Sequence, residues 1–348
     1  MLKKILAIFI ASAATLIADA QTTTETAKPA LSISGYGDAY YKYDFARSAE
    51  NNFTSFTGSH DSFELGMASV KLEHAGSKVN IVADLGFGKR ADEFSYNEAG
   101  ESGASFIKQL YLSFALSDHL KLTAGSWATH VGYELVDPFA NRNYSMSYMF
   151  SYGPFSHTGL KAEYTAGKSS FMLGIADPTD HKSFNGGSKY VLAQFATASA
   201  DELTKAYLNF QAGKLEDGTK TNQFDLVLTR ALSSQFGLGY NGTLTSYKKE
   251  GTSSSWWGSA LYLNYDPKSN LGFTLRGEYF NDKKAALELF GTAASVFATT
   301  LSANFKVDNL TIIPEIRLES ASESVFVKSN GAVTSSSGNF LVAAVYKF

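Results

Sequence analysis

The sequence predicts an all-β chain closed into a transmembrane, antiparallel up-and-down β-barrel of about 16 strands, its third long loop folded inward. Three observations carry that reading: an export leader, period-two alternation in run after run, and tight turns that interleave with longer polar connections. Composition agrees with it. The 348 residues include 26 Phe, 19 Tyr and 3 Trp against 6 Pro, and only 18% are charged. There is no Cys, which removes disulfides, thiolate metal sites and cysteine nucleophiles. A formal charge of −3 offers no basic footprint for nucleic acid.

In chain order, residues 1–20 read as a signal peptide. Lys3 and Lys4 form a basic head, Ile5 to Ile17 an uncharged apolar core, and Ala18-Asp19-Ala20 a small-x-small cleavage site. The core is shorter than the roughly 20 apolar residues that a helical span requires. Residues 21–30 form a short polar tail, and 31–348 form a single barrel domain.

Alternation then recurs along the domain. Val79, Ile81, Ala83, Leu85 and Phe87 oppose Asn80, Asp84 and Gly88; Phe273, Leu275 and Tyr279 oppose Thr274, Arg276 and Glu278. Leu310, Ile312, Ile316 and Leu318 share one face, while Thr311, Glu315, Arg317 and Glu319 share the other. In the last run, Phe340, Val342, Ala344, Tyr346 and Phe348 fall together. Tight turns fall near Gly76-Ser77, Ser117-Asp118, Gly167-Lys168, Ala200-Asp201, Ser233-Ser234, Pro267-Lys268 and Asp308-Asn309. Longer connections lie near 46–60, 90–104, 131–156, 178–188, 214–220, 247–255, 282–293 and 321–337. This interleaving counts sixteen strands, with fourteen and eighteen left as alternatives. Hydrocarbon cannot satisfy a bare strand edge, so an exported β-chain enters a bilayer only as a closed barrel, apolar face outward. Aromatics at strand ends (Tyr40, Tyr41, Tyr43 and Phe45; Trp256 and Trp257; Tyr346 and Phe348) fit interfacial girdles.

Two patches resemble a known family. Ile33 to Phe45 (ISGYGDAYYKYDF) is similar to the first strand of OmpL-like β-barrel porins, the β-barrel porin-2 family of Gram-negative outer membranes. The stretch from Val131 to Gly159 resembles a family motif through Gly132, Glu134, Asn143, Ser145, Ser147, Pro154, Thr158 and Gly159. The resemblance implies a multi-pass protein of the Gram-negative outer membrane that conducts small hydrophilic solutes passively. The alternatives are a substrate-selective nutrient channel and, less favoured, an outer-membrane barrel hydrolase. Phe348 would be read by the barrel-assembly machinery as an assembly signal. Expected partners are outer-membrane lipids, that machinery, periplasmic chaperones and the solutes, with homo-oligomerisation left open.

No catalytic set emerges. The histidines (His60, His74, His119, His130, His157 and His181) lack helical zinc spacing, Gly86 to Lys89 is followed by Arg90 rather than Ser or Thr, and no nucleophile elbow occurs. No enzyme activity, cofactor or metal is therefore expected. The lumen face should include Asp38, Lys42, Asp84, Lys161, Glu163, Asp225, Arg276, Glu278, Glu315, Arg317 and Glu319. Segment 131–156 is aromatic (Tyr133, Phe139, Tyr144, Tyr148, Phe150, Tyr152, Phe155), with Glu134, Asp137 and Arg142 its charged members. So many rings need burial, and the inner wall offers it. Its polar side would line a pore constriction with Glu134, Asp137, Asn141, Arg142, Asn143, Ser145 and Ser147. The rival reading makes Tyr144–Tyr152 a membrane strand, from the alternation of Tyr144, Met146, Tyr148, Phe150 and Tyr152 with serines.

Overall fold

The computed structural model describes residues 30–98 and 103–348, so the expected signal peptide and residues 21–29 lie outside it. Sixteen antiparallel strands close into one barrel. The first half comprises β1 (Ala30–Asp44), β2 (Ser62–Ala75), β3 (Val79–Phe87), β4 (Ile107–Ala115), β5 (Leu120–Ala128), β6 (Ser156–Ala166), β7 (Ser169–Ala176) and β8 (Tyr190–Ala198). The second comprises β9 (Thr204–Lys214), β10 (Lys220–Ala231), β11 (Phe236–Lys249), β12 (Thr252–Lys268), β13 (Leu271–Asp282), β14 (Ala294–Val307), β15 (Leu310–Ala321) and β18 (Ser336–Lys347). A two-residue hairpin, β16 (Phe326–Val327) with β17 (Val333–Thr334), sits in the last long loop.

The alternation has its expected meaning. Leu173, Phe224, Leu261 and Phe297 point outward and are exposed, while Asp84, Asp225, Arg276, Glu278 and Glu315 point inward and are buried. The seam pairs β1 with β18 from Tyr36↔Lys347 to Asp44↔Asn339. Gly35 and Phe348 then exchange backbone hydrogen bonds at 3.0 and 2.9 Å. A Cβ at Gly35 would stand 2.7 Å from the Phe348 ring, so glycine is what lets the ring lie over the seam. Each strand face thereby has a fixed register, because a slip of one residue would turn the charges toward lipid.

Seven short turns lie at one rim. At the other rim the connections run 45–61, 88–106, 129–155, 177–189, 215–219, 250–251, 283–293 and 322–335. One expectation is corrected here. The stretch 247–255 is not a long loop: β11 and β12 pair up to Lys249↔Thr252 around a two-residue turn. Glu250 and Gly251 both have positive φ, 48° and 88°, as a type I′ hairpin turn requires. The polar residues there are strand residues standing clear of the apolar band. Nor is Tyr144–Tyr152 a strand. Residues 144–147 run irregularly and Tyr148–Ser151 forms a short helix, α2.

The interior is not an empty cylinder. The third long loop, residues 129–155 (hereafter L3), enters it and carries Tyr144, Met146, Tyr148, Met149 and Phe150 out of solvent. The loop 88–106 follows with a short helix, α1 (Lys89–Phe94), whose Ala91 and Phe94 join Phe56, Met146, Phe150 and Phe155 in an apolar cluster inside the wall. Next to it, Leu341, Ala343 and Val345 of β18 pack with Tyr40, Tyr144 and Ile313. This barrel has an apolar core inside as well as an apolar belt outside.

Replacing Phe348 with Asp should lower the amount of heat-modifiable barrel recovered from membranes severalfold, because it charges the ring position that covers the seam. Unboiled and boiled samples compared on a gel measure this; normal recovery would make Phe348 one girdle aromatic among many.

Candidate functional site

A chain segment inside a barrel needs partners for its own N–H and C=O groups. The wall provides them as charges. Glu315 accepts the N–H groups of Tyr144 and Ser145 at 2.8 and 3.1 Å. Glu278 accepts those of Tyr148 and Met149, both at 3.1 Å, at the start of α2. Carbonyls are met by guanidiniums: Arg276 donates to Ser145 O and Arg317 to Met146 O, each at 2.8 Å. Glu134, on L3 itself, takes the Ser147 N–H at 2.7 Å and pairs with Arg276. Ser147 caps α2 through the Phe150 N–H at 3.1 Å.

Further contacts hold the rest of the loop. Asp137 accepts from Lys108 at 2.6 Å and from the Tyr36 hydroxyl at 2.9 Å, and Lys108 also pairs with Asp84 at 3.1 Å. Asn141 bonds back to Leu135, Arg142 pairs with Asp266, and Asn143 donates to Ser302 at 2.6 Å. The Tyr144 hydroxyl donates to Asp38 and the Tyr148 hydroxyl to Glu319 at 2.8 Å. Two glycines make room on the wall. A Cβ at Gly239 would meet the Tyr133 ring at 2.8 Å, and one at Gly258 would collide with the Met149 side chain.

Of the residues expected at a constriction, Glu134, Asn143, Ser145 and Ser147 are buried between loop and wall, while Asp137, Asn141 and Arg142 are bonded to Lys108, Leu135 and Asp266. Asp38, Arg276, Glu278, Glu315, Arg317 and Glu319 face them and are bonded to L3 or its partners. Lys42 instead donates to the carbonyl of Thr57 in the first loop at 2.8 Å. Lys161 and Glu163 form an ion pair at 3.5 Å with Lys121 beside them, apart from this cluster. Asp225 lies across the lumen. It accepts from Asn209 at 2.7 Å, from Asn241, and from the Gly132 N–H at 3.0 Å.

Sequence reading missed Arg90, whose guanidinium is buried over the rings of Phe56 and Tyr144 at 4.8 and 4.9 Å. It also missed Asp180, in the loop 177–189, which fastens the end of L3 by accepting the Phe155 and Ser156 N–H groups at 2.6 and 2.8 Å. Burial pushes that carboxyl up to about 6. No local pattern marks either residue.

Open space remains on the other half of the lumen. A cavity of about 440 Å³ is bounded by L3 at Tyr152–Pro154 and by Gln211, Gln223 and Thr245 of the wall. A separate space of only about 10 Å³, sharing Gly153, Pro154 and Gln223 with it, lies between Gly132, Gly153 and Pro154 of the loop and Gln223, Asp225 and Asn241 of β10 and β11. Among the described residues, no group of three or more His, Asp or Glu is placed to hold a metal ion.

A family model described as putative β-barrel porin-2, OmpL-like, matches residues 30–348. Among solved structures, the outer-membrane channel DcaP of Acinetobacter baumannii superposes with a TM-score of 0.63 at 13% identity, over 94% of this chain and 99% of that one. The anion-selective porin from Comamonas acidovorans gives 0.62 at 12%, over 92% and 100%. A loop-deleted OmpT of Vibrio cholerae gives 0.63 at 11%, over 92% and 99%. A search of curated proteins gave no match.

Two outcomes test the anchoring. Arg276→Met leaves Glu134 buried without its cation, a loss of about 3–5 kcal/mol for broken buried pairs. The temperature at which the folded gel band disappears should drop, and Arg276→Met with Glu134→Gln should restore part of it. Because the folded pKa of Asp180 lies above that of an exposed Asp, its contribution is complete below about pH 4 and is lost as pH rises through about 6. Asp180→Asn keeps Oδ1 for both backbone N–H groups, so the same melting temperature should fall less between pH 4 and 7 in the variant than in the native chain.

Proposed function

The chain belongs to the putative β-barrel porin-2, OmpL-like family, and on that premise we propose a passive channel for small hydrophilic solutes whose width is set by L3. The family and the likeness to porins and outer-membrane channels support this reading, in which transport requires no covalent step. A sixteen-stranded barrel is too wide for wall side chains to fill. L3 takes up that width, bonded to the wall from β10 and β11, through Gly132 and Tyr133, around to β1. The larger cavity beside it, with only about 10 Å³ left where the loop meets β10 and β11, is the observation on which the reading rests.

In this reading Glu134, Asp137, Asn141, Arg142, Asn143, Ser145 and Ser147 hold the constriction in position from behind, while the solute passes along the opposite wall. The leader at 1–20 would send the chain across the inner membrane of a Gram-negative cell. Periplasmic chaperones and the assembly machinery would then deliver it to outer-membrane lipid, with Phe348 as the recognised residue. Self-association of barrels is compatible with this scheme.

Purified protein in planar bilayers should give discrete conductance steps, and deletion of 138–150 should raise the single-channel value severalfold. Unchanged conductance would move the constriction away from L3, and an absence of steps in the native protein would overturn the channel reading.

A further inference from the structure

The charged side chains on the L3-bearing half of the wall are bonded to loop backbone or to one another, and so are not free for a solute. The half that lines the open path is different in kind. Gln194 donates to Asn209 at 2.8 Å, Gln211 to Gln223 at 2.8 Å, and Gln223 to Thr243 at 3.1 Å. These inward groups of β8 to β11 form a ladder of amides and hydroxyls, each carrying both donors and acceptors.

The larger cavity continues this chemistry. Among the described residues no Lys or Arg lines it, and His181 is its one basic side chain. Its two buffered carboxylates are occupied: Asp217 by Lys249 at 2.6 Å, Asp180 by two backbone N–H groups and the Tyr96 hydroxyl. Glu216 is the remaining acid at the rim. The other walls are the rings of Tyr96, Tyr152 and Tyr247 with Pro154 and Pro178. In the small space beside it the single charge among the described residues is Asp225. An anion would therefore meet carboxylates at both levels, and among the described residues only the imidazole of His181, with no Lys or Arg, to receive it.

Resting on the channel reading above, we infer that the solute taken by this path is an uncharged polyhydroxylated molecule of sugar type. Alternating donors and acceptors match the hydroxyl groups of such a solute. The tyrosine and proline faces match its C–H faces. The cavity volume falls within the range of about 300–1,000 Å³ typical of small-molecule sites.

The test uses liposomes containing the purified full-length barrel and measures initial swelling rates in glucose and in potassium glucuronate, which share a carbon skeleton and differ in charge. Glucose should enter about tenfold faster, the low end of what charge-lined clefts achieve. Asp225→Asn should lower the ratio of the glucose rate to the glucuronate rate. Gln211→Leu with Gln223→Leu should slow glucose about threefold or more, the worth of one or two lost hydrogen bonds. Folded variants are identified by the gel shift. Equal rates for the two solutes in the native protein, or faster glucuronate, would overturn the inference and leave the channel reading intact. If neither solute enters and planar bilayers show no conductance, the channel reading falls and this inference with it.

Discussion

Everything inside this barrel depends on how a stretch of irregular backbone is satisfied away from bulk water. Seven L3 N–H groups point at five carboxylates, and three of its carbonyls accept from three guanidiniums. An unpaired buried amide costs about 1–3 kcal/mol, so leaving these groups bare would expel the loop. Charged acceptors and donors make stronger bonds than neutral ones. They also compensate each other, since Glu134 and Arg276 neutralise one another in the same cluster. The charges of the wall are thus structural first. Their pattern copies the order of N–H and C=O groups along the loop.

That use of charge divides the lumen into two halves with separate tasks. From β12 around to β1 the wall carries ion pairs and apolar side chains fitted to a bound segment. From β8 to β11 its inward groups are mostly neutral amides and hydroxyls, with Asp225 and Asn241 fastening the start of L3 and free space beside them. Width is controlled by the first half and chemistry is met at the second. A substitution on one side can alter the aperture without touching the groups that a solute would meet.

Much of the barrel was legible because its two solvents, lipid and water, sort residues with period two. Strand count, seam and outward faces all follow from that rule. The inward course of L3 was legible from its aromatic content. Its anchors were not, because Tyr144 with Glu315 and Tyr148 with Glu278 lie far apart in sequence and join only in the closed ring. One clue was present in β18. Leu341, Ala343 and Val345 make its inner face as apolar as its outer one, which a water-lined wall would not tolerate. The β11–β12 turn was misread for the opposite reason, since polar strands beyond the membrane look like loop.

The seam between Gly35 and Phe348 constrains the order in which the molecule can be made. Local hairpins can pair as soon as their two strands exist, but this last contact spans nearly the whole domain. Closing a loop of roughly three hundred residues costs about 5 kcal/mol in chain entropy before any compensating contact forms. Until then β1 and β18 present two unsatisfied edges, each a template for pairing with another chain. A half-built sheet is therefore an aggregation hazard for as long as its ends stay apart, and only the pairing of β1 with β18 ends it.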